Sequence, residues 1–187
     1  MRRFRRIALL VLLMPALFLA AMPGWRVDFF QVFDQKGNLV FSSPSALGHK
    51  FSTRYIHSVE LTPVEDDYIV VSGRLWSWEE RVRSSKAGMP SMVPEQGRFL
   101  ETSQWMIYQG GRISWKEYYY RVGNKQLGLN QFSFEPFGRK NAYVIFPGQR
   151  LSIKVKKEPF MFDGVYRAEA LHNAPSGVPA IIKGDRN

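Results

Sequence analysis

Apolar and polar residues alternate along much of the chain, and this period of two constrains the fold more than any other feature of the sequence. It is clear in residues 25–29, 51–59 and 151–155. Successive side chains of a strand point to opposite faces, so the pattern predicts strands with one buried face. The runs are separated by 15 glycines and 11 prolines. We therefore expect an all-β antiparallel sandwich or barrel of roughly 8–10 short strands.

Local turn signals predict how some of these strands are connected. Residues 34–38, Asp-Gln-Lys-Gly-Asn, predict a turn between two paired strands, and Gly73 predicts a bulge or bend. Residues 105–115, centred on Gln-Gly-Gly-Arg, are typical of a hairpin. Residues 142–146 read as a further short strand.

The first 25 residues differ from the rest of the chain. Residues 1–6 contain four arginines, and residues 7–22 contain no charge. A basic segment followed by a short apolar run is typical of an export signal, and an uncleaved run of this kind forms a membrane helix. We expect residues 1–25 to be a signal-anchor or signal peptide containing one hydrophobic helix. Residues 26–187 then form a single exported β domain.

The arginines also predict the orientation, because positive charge stays on the cytoplasmic side. The expected location is the inner membrane, with residues 7–22 as a single span and the C-terminal domain in the periplasm. If the signal is cleaved, the domain is secreted to the periplasm. Four charges of the formal +10 belong to residues 1–6, so +6 remains (10 − 4), scattered over the rest of the chain, and export argues against nucleic acid as a partner. Anionic lipid headgroups or an acidic partner remain open as targets.

The chain has no cysteine, which excludes disulfides, thiolate metal sites and a cysteine nucleophile. The most concentrated chemistry is in residues 54–68, Arg-Tyr-Ile-His-Ser-Val-Glu-Leu-Thr-Pro-Val-Glu-Asp-Asp-Tyr. On a strand, His57 and Ser58 point apart, which disfavours a nucleophile–base pair. His57 and Glu60 have a spacing that suits a metal on a helix rather than a strand. We expect no catalytic residues, metal or cofactor here.

Pro63 is expected to mark a bend or sheet edge, because proline cannot donate to a strand ladder. The acids at 65–67 are expected to occupy a solvated turn that leads into Tyr68. In residues 116–121, Lys-Glu-Tyr-Tyr-Tyr-Arg, alternation forces part of the tyrosine run outward. That segment predicts an exposed aromatic and basic face, which is a candidate for partner binding.

Two motifs of the chain resemble a known family. Tyr-Ile-His-Ser-Val-Glu-Leu-Thr-Pro-Val-Glu at residues 55–65, followed by Ala-Gly-Met-Pro at 87–90, is similar to the bacterial family named domain of unknown function 1850. The resemblance extends from about residue 51 to residue 156. Lys86 stands where the family usually has glycine, and the acid follows Pro-Val directly at Glu65.

The resemblance implies an exported accessory of solute uptake, because genes of this family accompany TAXI-type TRAP transporter permeases. It implies no established activity. Carried over position by position, the candidates for binding a ligand or partner are Tyr55, His57, Ser58, Glu60, Thr62, Pro63, Glu65, Gly88, Met89 and Pro90.

The sequence is compatible with three functions. The first is a membrane-anchored periplasmic accessory domain, not catalytic, whose partner is a TRAP-type permease or its solute-binding protein. In it, His57 and Glu60 hold the bend against the Ala-Gly-Met-Pro loop. The alternative is a ligand-binding β-barrel for a small acidic or amphipathic solute, with residues 84–97 as a lid and a cavity lined by Tyr55 and His57. The third, less favoured, is a hydrolase that depends on His57 with Glu60 or Glu65.

Overall fold

A computed structural model describes residues 26–84, 92–110, 113–123, 127, 129–134 and 138–159. The expected N-terminal helix lies outside these residues. The described residues form twelve strands and one short 3-10 helix at Ala142–Val144. The strands are β1 Arg26–Phe33, β2 Leu39–Ser45, β3 His49–Ile56, β4 Pro63–Val71, β5 Arg74–Val82, β6 Gly97–Glu101, β7 Met106–Gly110, β8 Ser114–Trp115, β9 Glu117–Arg121, β10 Asn130–Phe134, β11 Arg139–Asn141 and β12 Arg150–Pro159.

The strands build two antiparallel sheets. The small sheet has four strands in the order β2-β1-β12-β9. The large sheet has eight, in the order β11-β10-β3-β4-β5-β7-β6, with β8 also paired to β5. The prediction of an all-β antiparallel fold is confirmed. The count of 8–10 strands was too low, because β8 and β11 are only two and three residues long and give no readable alternation.

One aromatic core lies between the two sheets. Phe30 of the small sheet packs against Phe134 and Phe51 of the large sheet, with ring centroids 4.4 and 4.8 Å apart. On β12, alternate residues Leu151, Ile153 and Val155 are buried in the same cluster. The apolar residues of the alternating pattern therefore face the core, and the polar residues face outward. Because the two sheets pack face to face around this core, the described domain is a sandwich.

The first hairpin forms as predicted. The side chain of Asp34 accepts hydrogen bonds from the backbone N–H groups of Lys36 at 2.9 Å and Asn38 at 2.8 Å. These bonds fix the turn, so β1 pairs with β2.

Two other predictions are wrong. Residues 105–115 do not form a hairpin, because β7 and β8 both pair with β5, at Glu79–Val82 and Leu75–Trp76 respectively. Residues 142–146 do not form a strand. The buried side chain of Asn141 accepts a hydrogen bond from the backbone of Tyr143 and so begins the 3-10 helix instead.

The part of the chain that the structure describes includes no helix with the length and hydropathy of a membrane span. The hydrophobic segment at residues 7–22 lies outside that part.

Candidate functional site

Residues 54–68 form the end of β3, a turn, and most of β4. β3 ends at Ile56, which pairs with Pro63 at the start of β4. Between them, His57 donates its N–H to the carbonyl of Thr62 and accepts from Leu61 at its own carbonyl. The expectation that the strand continues to residue 59 was therefore wrong. Pro63 does stand at a bend, and its place as the first residue of a strand needs no ladder donor.

The His57 ring is used inside its own turn. Its Nδ1 accepts hydrogen bonds from the backbone N–H groups of Glu60 at 3.2 Å and Val59 at 3.4 Å. Aspartate and asparagine side chains stabilise turns in the same way, by accepting hydrogen bonds from backbone N–H groups two or three residues later. Among the described residues, no group of three or more His, Cys, Asp or Glu side chains could hold a metal ion. The geometry of His57 indicates a structural role.

The remaining motif residues are not brought to one place. Tyr55 is half-buried on the inner face of the large sheet, whereas Glu65 lies on its outer face. Ser58 is exposed at the tip of the turn, and Glu60 and Thr62 are partly buried beside it. Gly88, Met89 and Pro90 lie outside the described residues, as does part of the proposed lid at 84–97. The described motif residues therefore mainly build the connection between β3 and β4.

The acids at 65–67 were expected in a solvated turn, and that prediction was wrong. They lie within β4, a strand with hydrogen-bonded neighbours on both sides, β3 and β5. Asp66 and Asp67 are 8% and 3% exposed. The acids themselves do not indicate this, because the groups that accompany them come from the two neighbouring strands, β3 and β5.

Two rows of polar side chains cross the outer face of the large sheet. In the first row, Gln131, Arg54, Glu65 and Arg81 are direct neighbours on four adjacent strands. In the second row, Arg139, Ser133, Ser52, Asp67 and Glu79 are direct neighbours on five. Both rows run over the middle of the sheet, so backbone pairing fixes their positions.

Buried Asp67 anchors the second row. It accepts a hydrogen bond from Ser52 Oγ at 2.6 Å and pairs with Lys50 Nζ at 2.7 Å and Arg81 Nη2 at 3.1 Å. Arg81 also donates from Nε to Glu65 Oε2 at 3.1 Å and from Nη1 to Glu79. The carboxylates of Glu65, Asp67 and Glu79 thus converge on one guanidinium, while Glu65 and Asp67 each pair with a second cation.

A cleft of about 230 Å³ opens above these rows, and we call it the charged cleft. Its lining residues are Lys50, Ser52, Thr53, Arg54, Glu65, Asp67, Arg81, Gln131, Ser133 and Arg139. Arg54 forms an ion pair with Glu65, with Nε and Oε1 3.3 Å apart, and this buried Nε makes no hydrogen bond. Arg139 is exposed and has no ion pair with another described residue. The buried Oε1 of Gln131 also has no partner. The charged cleft therefore has unused donors from two arginines.

The inner face of the same sheet carries a second unusual feature. Asp66 lies between Thr53 and Glu80 on neighbouring strands, and Thr53 Oγ1 donates to it at 3.1 Å. Burial, and then the carboxyl of Glu80, raise the pKa of Asp66 to about 7. Burial also raises the pKa of Glu80. Two carboxyl groups therefore lie side by side on the inner face of the large sheet, with Asp66 buried and Glu80 partly buried.

Tyrosines surround this pair of carboxyl groups. The hydroxyl groups of Tyr68 and Tyr118 are 2.9 Å apart, and the buried hydroxyl of Tyr120 has no partner. Tyr55 packs edge to face against Tyr120, with centroids 6.2 Å apart. Sequence reasoning missed Asp66 and Glu80, although the run Glu-Asp-Asp followed by Tyr does place Asp66 and Tyr68 on one face.

The fold and the outer face define an all-β sandwich domain with a charged cleft on its large sheet. Residues 51–135 match the model of the family described as Domain of unknown function (DUF1850). The match runs from β3 through β10 and includes most of the residues that line the charged cleft. It supports the resemblance noted from the sequence. No curated protein and no solved structure is significantly similar to the chain.

Proposed function

We propose that this protein is an exported, non-catalytic accessory of TRAP-type solute uptake, anchored in the inner membrane by residues 7–22. Its charged cleft receives an acidic side chain of the permease or of its solute-binding protein. The observation that carries the proposal is the pair of incompletely used arginines that line the charged cleft, Arg54 on the central strand β3 and Arg139 on the edge strand β11. The association with TRAP transporters comes from the family resemblance.

The chemistry of the charged cleft suits a carboxylate. Guanidinium groups bind carboxylates through paired N–H donors, and the Nη groups of Arg54 donate no hydrogen bond to a described residue. Glu65 and Asp67 are each shared between two cations, Arg54 and Arg81 for Glu65, and Lys50 and Arg81 for Asp67, so their charge is largely compensated. A volume of about 230 Å³ is below the roughly 300–1,000 Å³ of small-molecule pockets. A single side chain therefore fits better than a whole solute.

The ligand-binding barrel receives less support from the geometry. The space between the sheets is filled by aromatic side chains, among them Phe30, Phe51 and Phe134. His57, which would line its cavity, is bonded to its own turn. The same contacts leave the hydrolase without a free base at that position.

The test is co-purification of the full chain with a TRAP permease or its solute-binding protein from membranes of the native cell, dissolved in a nonionic detergent. We expect the wild-type chain to retain one of these components. Failure to retain either one from cells that express both would contradict the proposal.

Charge variants show whether the charged cleft makes the contact. Arg54→Gln and Arg139→Gln should each reduce the retained component, and the double variant should remove most of it. Lys36→Gln is the matched control, because Lys36 is an exposed cation in the β1–β2 turn of the small sheet. Equal retention by the double variant and the control would place the contact elsewhere.

A further inference from the structure

The outer face of the small sheet carries a row of cations on one strand. Arg150, Lys154 and Lys156 of β12 point away from the core, because Leu151, Ile153 and Val155 between them are buried. Lys154 and Lys156 are two residues and therefore roughly 6.6–6.8 Å apart, and Arg150 lies about 13 Å from Lys154, with Ser152 between them. They line a groove of about 500 Å³, together with Phe33, Glu117 and Tyr119. We call it the basic groove.

Aromatic rings hold these cations in place. The Cζ atom of Arg150 lies 3.9 Å from the ring centroid of Tyr119. The Nζ atoms of Lys154 and Lys156 lie 5.6 and 5.3 Å from the centroid of Phe33. Tyr119 is the tyrosine of residues 116–121 that faces outward, as the sequence predicted, while Tyr118 and Tyr120 face inward. The basic groove therefore combines positive charge with aromatic platforms.

The acids of the basic groove neutralise only part of this charge. Glu117 accepts from Ser152 Oγ at 2.6 Å and pairs with Lys154 at 3.1 Å. Asp34 is occupied by the backbone N–H groups of its own turn. Arg150 and Lys156 have no ion pair with any residue that the structure describes.

A second arginine adds to the unbalanced charge. Arg121 of β9 lies directly opposite Arg150, and both are exposed. Like charges opposite each other on paired strands destabilise the pair, and a bound anion would relieve this repulsion. The chain thus maintains positive charge here at some cost in stability.

We propose that the basic groove binds the phosphate of an anionic phospholipid headgroup at the membrane surface. Clustered cations next to a membrane segment bind anionic lipids, and aromatic side chains favour the interface. The first strand of this sheet begins at Arg26, a few residues after the hydrophobic segment that we propose as the anchor. The basic groove lies along the middle and far end of that strand, where Lys156 pairs with Phe29 and Ser152 with Phe33, so it reaches the headgroups when β1 lies along the membrane surface. The inference rests on that anchoring and is independent of the charged cleft.

The experiment uses the full chain in a nonionic detergent. It is titrated with dihexanoylphosphatidylglycerol, dihexanoylphosphatidylcholine and inorganic phosphate, and the Nε–H signals of Arg121 and Arg150 are followed by NMR. The phosphatidylglycerol should shift both signals, and neither of the other two should do so at the same concentration. Equal shifts with inorganic phosphate would identify a free-anion site instead. No shift with any of the three would also overturn the proposal.

Variants distinguish lipid binding at the basic groove from attraction to positive charge anywhere on the surface. Arg150→Gln and Lys156→Gln should each weaken phosphatidylglycerol binding about fivefold, which is the usual contribution of one cation near an anionic surface. Arg98→Gln on β6 of the large sheet is the matched control and should leave the affinity unchanged. Equal weakening by the control would contradict a defined site. Release of the full chain from native membranes by sodium carbonate would refute the anchor without affecting this titration.

Discussion

At the scale of residues, Asp66 and Asp67 show how neighbours on one strand acquire opposite environments. Asp67 points outward and pairs with Lys50 and Arg81, so its buried charge is compensated. Asp66 points inward, between Thr53, which donates a hydrogen bond to it, and another carboxyl, Glu80. Asp67 is therefore compensated as a carboxylate, whereas burial and the charge of Glu80 favour the protonated form of Asp66.

This difference predicts a pH dependence. The pKa of Asp66 is raised from 3.8 to about 7, so the folded chain binds this proton more tightly than the unfolded chain. The stability that the proton provides is complete below the unfolded pKa and is lost as pH rises towards about 7. Asp66→Asn removes this loss and keeps an acceptor for Thr53. Relative to the wild type, we expect the free energy of unfolding of this variant to rise by about 2–4 kcal/mol as the pH increases from 4 to 8.

Urea unfolding of the full chain in detergent, followed by tryptophan fluorescence, measures this gain. Asp67→Asn is the matched variant, and it should instead lose about 2–4 kcal/mol because two cations lose their buried partner. If Asp66→Asn were as destabilising as Asp67→Asn at pH 8, the assignment of an inward, protonated Asp66 would be wrong.

His57 provides a second prediction at this scale. His57→Ala removes the acceptor for the N–H groups of Val59 and Glu60, so we expect a loss of about 1 kcal/mol in the free energy of unfolding. His57→Asn should recover most of this loss, since the asparagine side chain closes turns in the same way. Equal losses in both variants would show that the ring serves some other purpose.

At the scale of elements, hairpin turns set which strands meet. β4 and β5 are joined by Ser72 and Gly73, whose φ angles of 50° and 71° are both in the left-handed region. Such a two-residue turn matches the right-handed twist of paired strands and favours the sequence Asn-Gly. It brings Arg81 and Glu80 of β5 beside the acids of β4, so both polar clusters depend on it.

This turn can be tested by paired substitutions. A Cβ atom at Gly73 would meet nothing within 4 Å, so the cost of Gly73→Ala comes from the backbone alone. We expect that variant to lose about 1 kcal/mol. Ser72→Asn creates the favoured pair and should gain about 0.5 kcal/mol. Thermal unfolding shows whether each variant is more or less stable than the wild type. A stabilising Gly73→Ala would contradict the turn geometry.

The sequence predicted correctly those elements whose signals lie within a few neighbouring residues. The turn at residues 34–38 and the alternation of β12 are encoded within a few neighbouring residues, and both were predicted. The pairing of β7 and β8 with β5 depends on residues about 24–40 positions earlier in the chain. The acids of β4 depend likewise on other strands, because their charged partners lie on β3 and β5, about 11–17 positions away.

At the scale of the whole molecule, the two sheets of the sandwich carry different polar surfaces. The large sheet carries the charged cleft, the small sheet carries the basic groove, and aromatic packing between them fixes their relation. Without disulfides, this packing and the strand ladders must hold both sites. The division suits a domain that contacts a membrane and a protein partner at the same time.

The central claim is that the charged cleft contacts a TRAP transport component. A photo-crosslinking amino acid at Ser133, which lines the charged cleft, tests this directly in the full chain in native membranes. Lys36 in the small sheet provides the control position. We predict that Ser133 captures the permease or its solute-binding protein, identified by mass spectrometry, and that Lys36 does not. Capture of neither component from Ser133, or equal capture from Lys36, would contradict the account.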